Sequence, residues 1–242
     1  MNKKGDPDTD ALVLFSGGLD STVSLYYELN RCARQGIGKV SALFINYGQR
    51  HGVRENLAAK RVHAAARNSK RYADHCGTLY NIYVPSMVAE NSGLIAGGKP
   101  PARYASFDDA KAAALHDAVF VPHRNALLLT YAAIYAYNIG VNRIVTGLRS
   151  ALGFGFPDCS LDFEQSLRQT LVMGTPQHEL QFSSPMWDTK MRSVQLAKTI
   201  PECVDVLTQS YSCFTGAVEP CGECLACRNR QEQFRLAGLE CK

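Results

Sequence analysis

The 242-residue chain has no run of about 18 apolar residues, so no segment is expected to cross a membrane. Its first residues, Met1 to Asp8, lack the apolar stretch of a secretory signal. Residues 1–10 read as a frayed polar tail, and the cytoplasm is the expected location. Basic runs interleaved with aromatics are missing, which argues against nucleic acid as the main partner. No internal repeat is present, and no Gly-Lys-Ser/Thr, which excludes the Walker phosphate loop. The dinucleotide fingerprint G-x-G-x-x-G is absent too. Charge is sparse in its imbalance: +4 net, with a pI near 8.5. That mild excess suits small anionic substrates. The length fits one domain, or one domain with a small appendage, and 46% hydrophobic residues can fill a sizeable core.

What is present begins with Phe15-Ser16-Gly17-Gly18-Leu19-Asp20-Ser21-Thr22, directly after the apolar run Ala11-Leu12-Val13-Leu14. A strand entering a glycine turn and then a helix builds an anion site. Backbone N–H groups converge there and the helix dipole favours negative charge. Gly17 and Gly18 are expected to leave room for a phosphate, with Ser16, Ser21 and Thr22 as donors. Asp20 would repel a bare phosphate, so it is expected beside magnesium or as a helix cap. The string S-G-G-x-D-S resembles the signature of the ATP pyrophosphatases, the PP-loop enzymes, which split ATP into AMP and pyrophosphate.

Strand and helix patterns alternate along the chain. Strands are expected at 11–15, 40–47, 79–84 (ended by Pro85) and 143–148. Helices are expected at 20–34, 53–67, 125–138 and 160–173. Such alternation implies a parallel sheet with helices on both faces, and a ligand site at the carboxyl ends of the strands. Ser16, Asn46, Tyr47, Thr146 and Gly147 fall at such ends. Residues 86–120, with Gly97-Gly98-Lys99-Pro100-Pro101, break the rhythm and read as an insertion: a lid, a binding loop or plain disorder.

Four of the nine cysteines cluster at Cys213, Cys221, Cys224 and Cys227. Nine thiols in a chain of this type do not imply a disulfide scaffold. Their spacing matches a closed, structural zinc site, with Gly222 allowing a tight turn around the ion. An iron–sulfur cluster and a redox Cys-x-x-Cys pair compete with that reading.

Taken together the motifs resemble one family, the 7-cyano-7-deazaguanine synthases called QueC. The likeness runs through Phe15 to Thr22, Asn46-Tyr47-Gly48-Gln49-Arg50-His51, Val121-Pro122-His123-Arg124-Asn125, Phe156-Pro157-Asp158-Cys159, Ser184-Pro185-Met186 and Tyr211-Ser212-Cys213-Phe214. It ends with the cysteines at 221–227. The resemblance implies an α/β PP-loop fold (HUP-like, adenine nucleotide alpha hydrolase-like), residues 11–200. A segment at 201–242 follows, with one structural zinc on the four clustered cysteines. It implies a homodimer without membrane attachment. The implied reaction converts 7-carboxy-7-deazaguanine and ammonia to the 7-cyano base with two ATP and magnesium.

Site residues follow from the resemblance. Phe15 to Thr22, Phe44, Asn46 and Gly147 would bind ATP, and Asp20, Ser21, Arg124 and Lys190 would serve catalysis. Arg124, Asn125, Phe156 and Asp158 would hold the deazaguanine, and His51 would line the site or lie on the surface. Two stretches depart from the family's habit. His123 replaces a usual glycine, placing bulk and a titratable ring beside Arg124. Ala151 to Ser160 lacks the family's acidic residue, serine, tyrosine and final arginine. Both departures concern the acceptor side. A ligase that stops at the amide, or joins the carboxylate to another amine, possibly on a protein, is the alternative expectation.

Overall fold

The computed structural model describes residues 8–84, 92–113, 119–148, 156–176 and 179–241. Five strands form one parallel sheet in the order β3-β2-β1-β4-β5. They are β1 (Thr9–Leu14), β2 (Lys39–Asn46), β3 (Cys76–Tyr83), β4 (Arg143–Val145) and β5 (Gln181–Ser183). The central strand β1 pairs Leu12 with Ser41 of β2 and with Ile144 of β4. Crossovers are made by α1 (Leu19–Gln35), α2 (Gly52–Asn68), α3 (Phe107–Ala113), α4 (Arg124–Ile139) and α5 (Leu161–Met173). Three short helices follow, α6 (Pro185–Thr189), α7 (Ser193–Ala197) and α8 (Cys203–Leu207), before α9 (Leu225–Leu236).

The four expected strands and four expected helices are all present, and their ends differ for local reasons. β1 starts at Thr9, inside the expected tail, because Asp10 forms an ion pair with Arg31 of α1. β3 starts at Cys76, three residues early; Gly77 lets the backbone approach β2, where a Cβ would meet Ser41 Oγ at 2.6 Å. β4 stops at Val145, not 148. There Thr146 and Gly147 leave the sheet to pack on the first turn of α1, with Ser24 Oγ donating to Thr146 O at 2.9 Å. The fifth strand, Gln181-Phe182-Ser183, has a single apolar residue and gave no periodic signal. Pro85 and Ala151–Gly155 lie outside the described residues.

Two apolar layers sandwich the sheet. One joins Val13, Phe15, Val40, Ala42 and Phe44 to Val23, Tyr26 and Leu29 of α1 and to Val62 of α2. Val194, Cys203, Leu207 and Phe234 complete it, so residues beyond 200 share this core. The other joins Leu12, Leu43, Ile45 and Ile144 to Ala132, Ala133 and Ala136 of α4. β2 is buried on both faces, which is why it reads as an unbroken apolar run. Beneath the sheet Glu28 is fully buried, and Arg31 at 2.7 Å and Arg143 at 2.9 Å compensate its charge. Among the described residues no helix is long and apolar enough to cross a membrane.

Candidate active site

A cavity of about 360 Å³ opens at the carboxyl ends of β1 and β2, within the usual range for small-ligand sites. Its floor is the turn after β1. Phe15 N donates to Leu43 O at 2.8 Å, which continues the sheet into the turn. Ser16 Oγ lies 3.1 Å from Ser21 Oγ and accepts from Gly18 N at 3.2 Å. Asp20 stands in the first turn of α1, and its Oδ1 accepts from Ser193 Oγ of α7. It is therefore inside the helix and does not cap it; Gly18 is the N-cap, with no side-chain bond. The result is a helix N-terminus with two hydroxyls and one anchored carboxylate facing a cavity, suited to a phosphate group.

Phe15, Ser16, Gly18, Leu19, Asp20, Ser21 and Gly147 line this cavity. So do Arg124, Asn125, Phe156 and His51. Others are elsewhere. Gly17, at φ +76°, faces α2: a Cβ there would meet Ala59 N at 2.4 Å. It is required for the left-handed turn and for helix packing, not for phosphate clearance. Thr22 is fully buried below the turn. Phe44 points into the α1 layer, while its neighbours Leu43 and Ile45 reach the cavity. Asn46 braces its own turn, with Oδ1 accepting from Gly48 N at 3.0 Å. Asp158 is buried, and its Oδ2 accepts from Asn125 N at 3.5 Å at the start of α4. Lys190 is exposed and left-handed at φ +55°, three residues before Ser193 and off the cavity wall. His123 is exposed at φ +59° and lines no part of the cavity. A glycine there would serve backbone conformation.

The acceptor side is built on α4. Burial disfavours the Arg124 guanidinium, but Tyr47, Asp158 and Cys159 outweigh that cost and hold its pKa above the ordinary value. Burial pushes the Tyr47 phenol up to about 12, opposed by Arg124. Phe156 lies parallel to Phe120, with centroids 6.1 Å apart, and offers an apolar face for a flat ring. The insertion contributes Leu94 and Val119 to the wall. Arg50 holds it there, with Nε donating to Gly93 O at 3.1 Å.

The third wall includes the Tyr211-Ser212-Cys213-Phe214 motif, but its place beside the cavity gave no sequence signal. Tyr211, Ser212, Phe214, Leu225, Ala226, Asn229 and Arg230 line the cavity from the C-terminal side. Tyr211 N donates to Gly17 O at 2.9 Å, tying this wall to the turn. Arg230 donates to Ser210 Oγ at 2.8 Å and to Leu207 O at 2.7 Å, and burial lowers its pKa. Arg230 lies three residues after Cys227 on α9, a helical spacing that would have placed both on one side.

Behind that wall the four cysteines converge. Their sulfurs all lie within 4.8 Å of one another, with Cys213 to Cys221 at 3.5 Å and Cys221 to Cys227 at 4.0 Å. A tetrahedral zinc with bonds of ~2.3 Å needs sulfur–sulfur edges of ~3.8 Å. The thiol set therefore fits such an ion, and Gly222 makes the turn at φ +73°, as expected.

Over residues 10–238 the chain matches the family described as "Queuosine biosynthesis protein QueC". The chain belongs to the QueC family. It is 34% identical to the 7-cyano-7-deazaguanine synthase of Chromobacterium violaceum over 96% of this chain and 92% of that protein. A relative of the same description from Laribacter hongkongensis is 34% identical over 99% of this chain and 95% of its own length. A third, from Bradyrhizobium, is 31% identical over 95% of this chain and 96% of its own. QueC membership agrees with the parallel α/β fold and the convergent cysteines.

Proposed function

We propose that this chain is an ATP-dependent C–N ligase that turns 7-carboxy-7-deazaguanine into 7-cyano-7-deazaguanine through the amide. The observation that carries this reading is one cavity holding both the phosphate-type turn at Ser16–Ser21 and the Arg124–Phe156 wall. A carboxylate resists attack because oxide is a poor leaving group. Its oxygen attacks the α-phosphorus of ATP, pyrophosphate leaves, and the carbonyl then carries AMP. Ammonia adds, the bond to AMP breaks, and the amide results. A second ATP activates the amide oxygen, and loss of AMP and a proton leaves the nitrile.

The residues act by placement and charge. Ser16, Ser21 and the first turn of α1 bind the phosphates. Asp20, fixed by Ser193, holds magnesium against them. Lys190 supplies positive charge toward the departing pyrophosphate. Arg124 takes the substrate carboxylate and Phe156 the flat ring. Cys213, Cys221, Cys224 and Cys227 hold one zinc, which supplies no step and fixes the C-terminal wall. The chain works in the cytoplasm as a homodimer, which sedimentation would check.

The test is mass spectrometry of products. The chain is incubated with ATP, magnesium, carboxy-deazaguanine and ammonia. AMP and nitrile are expected. ADP, or AMP release that ignores the acid, sinks the reading. Accumulated amide, or transfer to another amine such as one on a protein, would replace the nitrile as end product.

A further inference from the structure

Between the turn and the cysteine wall stands a polar cluster that phosphate binding does not use. His51 ends the turn before α2, lines the cavity and is only 4% exposed. Its Nε2 faces Glu55 Oε1 at 3.5 Å, one helical turn on. Its Nδ1 is buried and has no hydrogen-bond partner among the described residues. Glu55 is held from the other side, where Oε2 accepts from Gln49 Nε2 at 3.0 Å. Gln49 in turn donates to Ile45 O at 3.3 Å and accepts from Tyr47 N at 2.9 Å. The imidazole packs on Phe214, with ring centroids 5.4 Å apart.

This geometry sets the tautomer. A lone pair aimed at a carboxylate is repelled, so the proton sits on Nε2, facing Glu55. Nδ1 then carries a basic lone pair with no partner among the described residues. An unpartnered buried polar atom is costly, and here it lies in a ring that forms the wall of the cavity. The cluster adjoins the acceptor side, because Tyr47, whose amide is fixed by Gln49, interacts with Arg124 through its hydroxyl. Arg50, the neighbouring cation, turns away to Gly93 O and Gly98 O. The charged side chains that share the cavity wall with His51 are Asp20 from α1, Glu55 from α2, Arg124 from α4 and Arg230 from α9, while Phe214 brings none.

Resting on the proposed carboxyl activation, we infer that His51 is the proton acceptor for the attacking amine, positioned by Glu55 and Gln49. Neutral ammonia attacks the adenylate carbonyl and a C–N bond forms. The nitrogen, now positive, gives one proton to His51 Nδ1. The bond from carbon to the AMP oxygen breaks, and its electron pair leaves on the phosphate. Amide, AMP and one proton on the imidazole balance the step. The proton passes to water when products leave.

The experiment is His51→Gln in the full chain, with two readouts. Acid-dependent exchange of labelled pyrophosphate into ATP reports adenylate formation without an amine. Amide formation from ammonia reports the attack. Exchange is expected within about threefold of the parent chain, while amide formation falls ~100-fold or more, the usual worth of a positioned base. Hydroxylamine, uncharged at neutral pH and a stronger nucleophile, is expected to recover most of the lost rate. Glu55→Gln keeps the Gln49 contact and is expected to show the same split at roughly tenfold, which covers a poorly folded His51 variant. Amide formation at the parent rate, equal loss of both readouts in both variants, or no recovery with hydroxylamine overturns the inference. A parent chain that exchanges no pyrophosphate overturns the activation chemistry itself, and this inference with it.

Discussion

The turn at Phe15–Thr22 and the segment from Ser210 to Cys227 face each other across one cavity, yet they are held by opposite means. The turn grows out of a central strand. Its backbone is bonded to β2, its glycine is wedged on α2, and Phe15 and Leu19 are sunk in apolar layers. Between α8 and α9 the other wall has no helix or strand among its described residues. Its own core consists of Ala58, Tyr211 and three of the thiols, with the fourth packed beside them. One wall stands on hydrophobic burial. The other is built around four converging thiols. If they hold an ion, as proposed, only the first wall keeps its shape without it.

The comparison breaks most sharply at the metal. Cys224→Ser is expected to abolish zinc binding, measured by metal content. Structural sites are worth ~10 kcal/mol or more in small zinc domains, so the melting temperature should fall by roughly 10 °C or more. A metal-free variant with unchanged melting and activity would end the distinction between the walls. Asp20→Ala probes the opposite side. AMP formation should drop ~100-fold or more while the unfolding midpoint stays close to the parent's. Normal AMP release would remove Asp20 from the chemistry.

Gly17→Ala sharpens the contrast further. The added Cβ meets Ala59 N at 2.4 Å and forces a left-handed alanine. A loss of about 2–4 kcal/mol in urea unfolding is expected; a loss under ~0.5 kcal/mol would mean the turn is softer than described.

Alkali tests the buried body of the fold. Burial pushes the Cys32 and Cys76 thiols up to about 11, and Tyr47 and Tyr72 up to about 12. The unfolded chain releases thiol protons near pH 8.5–9 and phenol protons near 10, while the folded chain keeps them. The folded form therefore binds more protons there, and stability falls as pH rises from ~9 toward 12. Equal urea midpoints at pH 7.5 and 10.5 would contradict this. The smallest effect is expected from His123→Gly. It removes a left-handed non-glycine residue and should raise stability by ~1 kcal/mol in the same assay.

Some of this could be read locally. The apolar runs, the Ser-Gly-Gly turn and the cysteine spacing each lie within a dozen or so residues, where covalent reach and backbone preference decide the outcome. Phe44 shows where that ends. β2 is buried on both faces, so alternation gave no sign of which face meets the cavity. Lys190 stands off the cavity wall and Asp158 is buried against Asn125, placements that the motifs naming them do not reveal. Glu55 and Arg230 belong to none of the motifs, and Gln49 and Tyr211 stand there only as motif positions without a role.

The linear order of residues thus determined the parallel α/β plan, the glycine turn ahead of α1 and the four-thiol cluster, because each rests on near neighbours along the chain. Only the folded molecule decided that the thiol segment forms a wall of the same cavity as the turn, bonded through Tyr211 to Gly17, and that a nitrogen of His51, at the start of α2, has no partner there among the described residues. Those facts depend on contacts between residues up to nearly two hundred positions apart, which hydrophobic burial brings together and no local rule encodes.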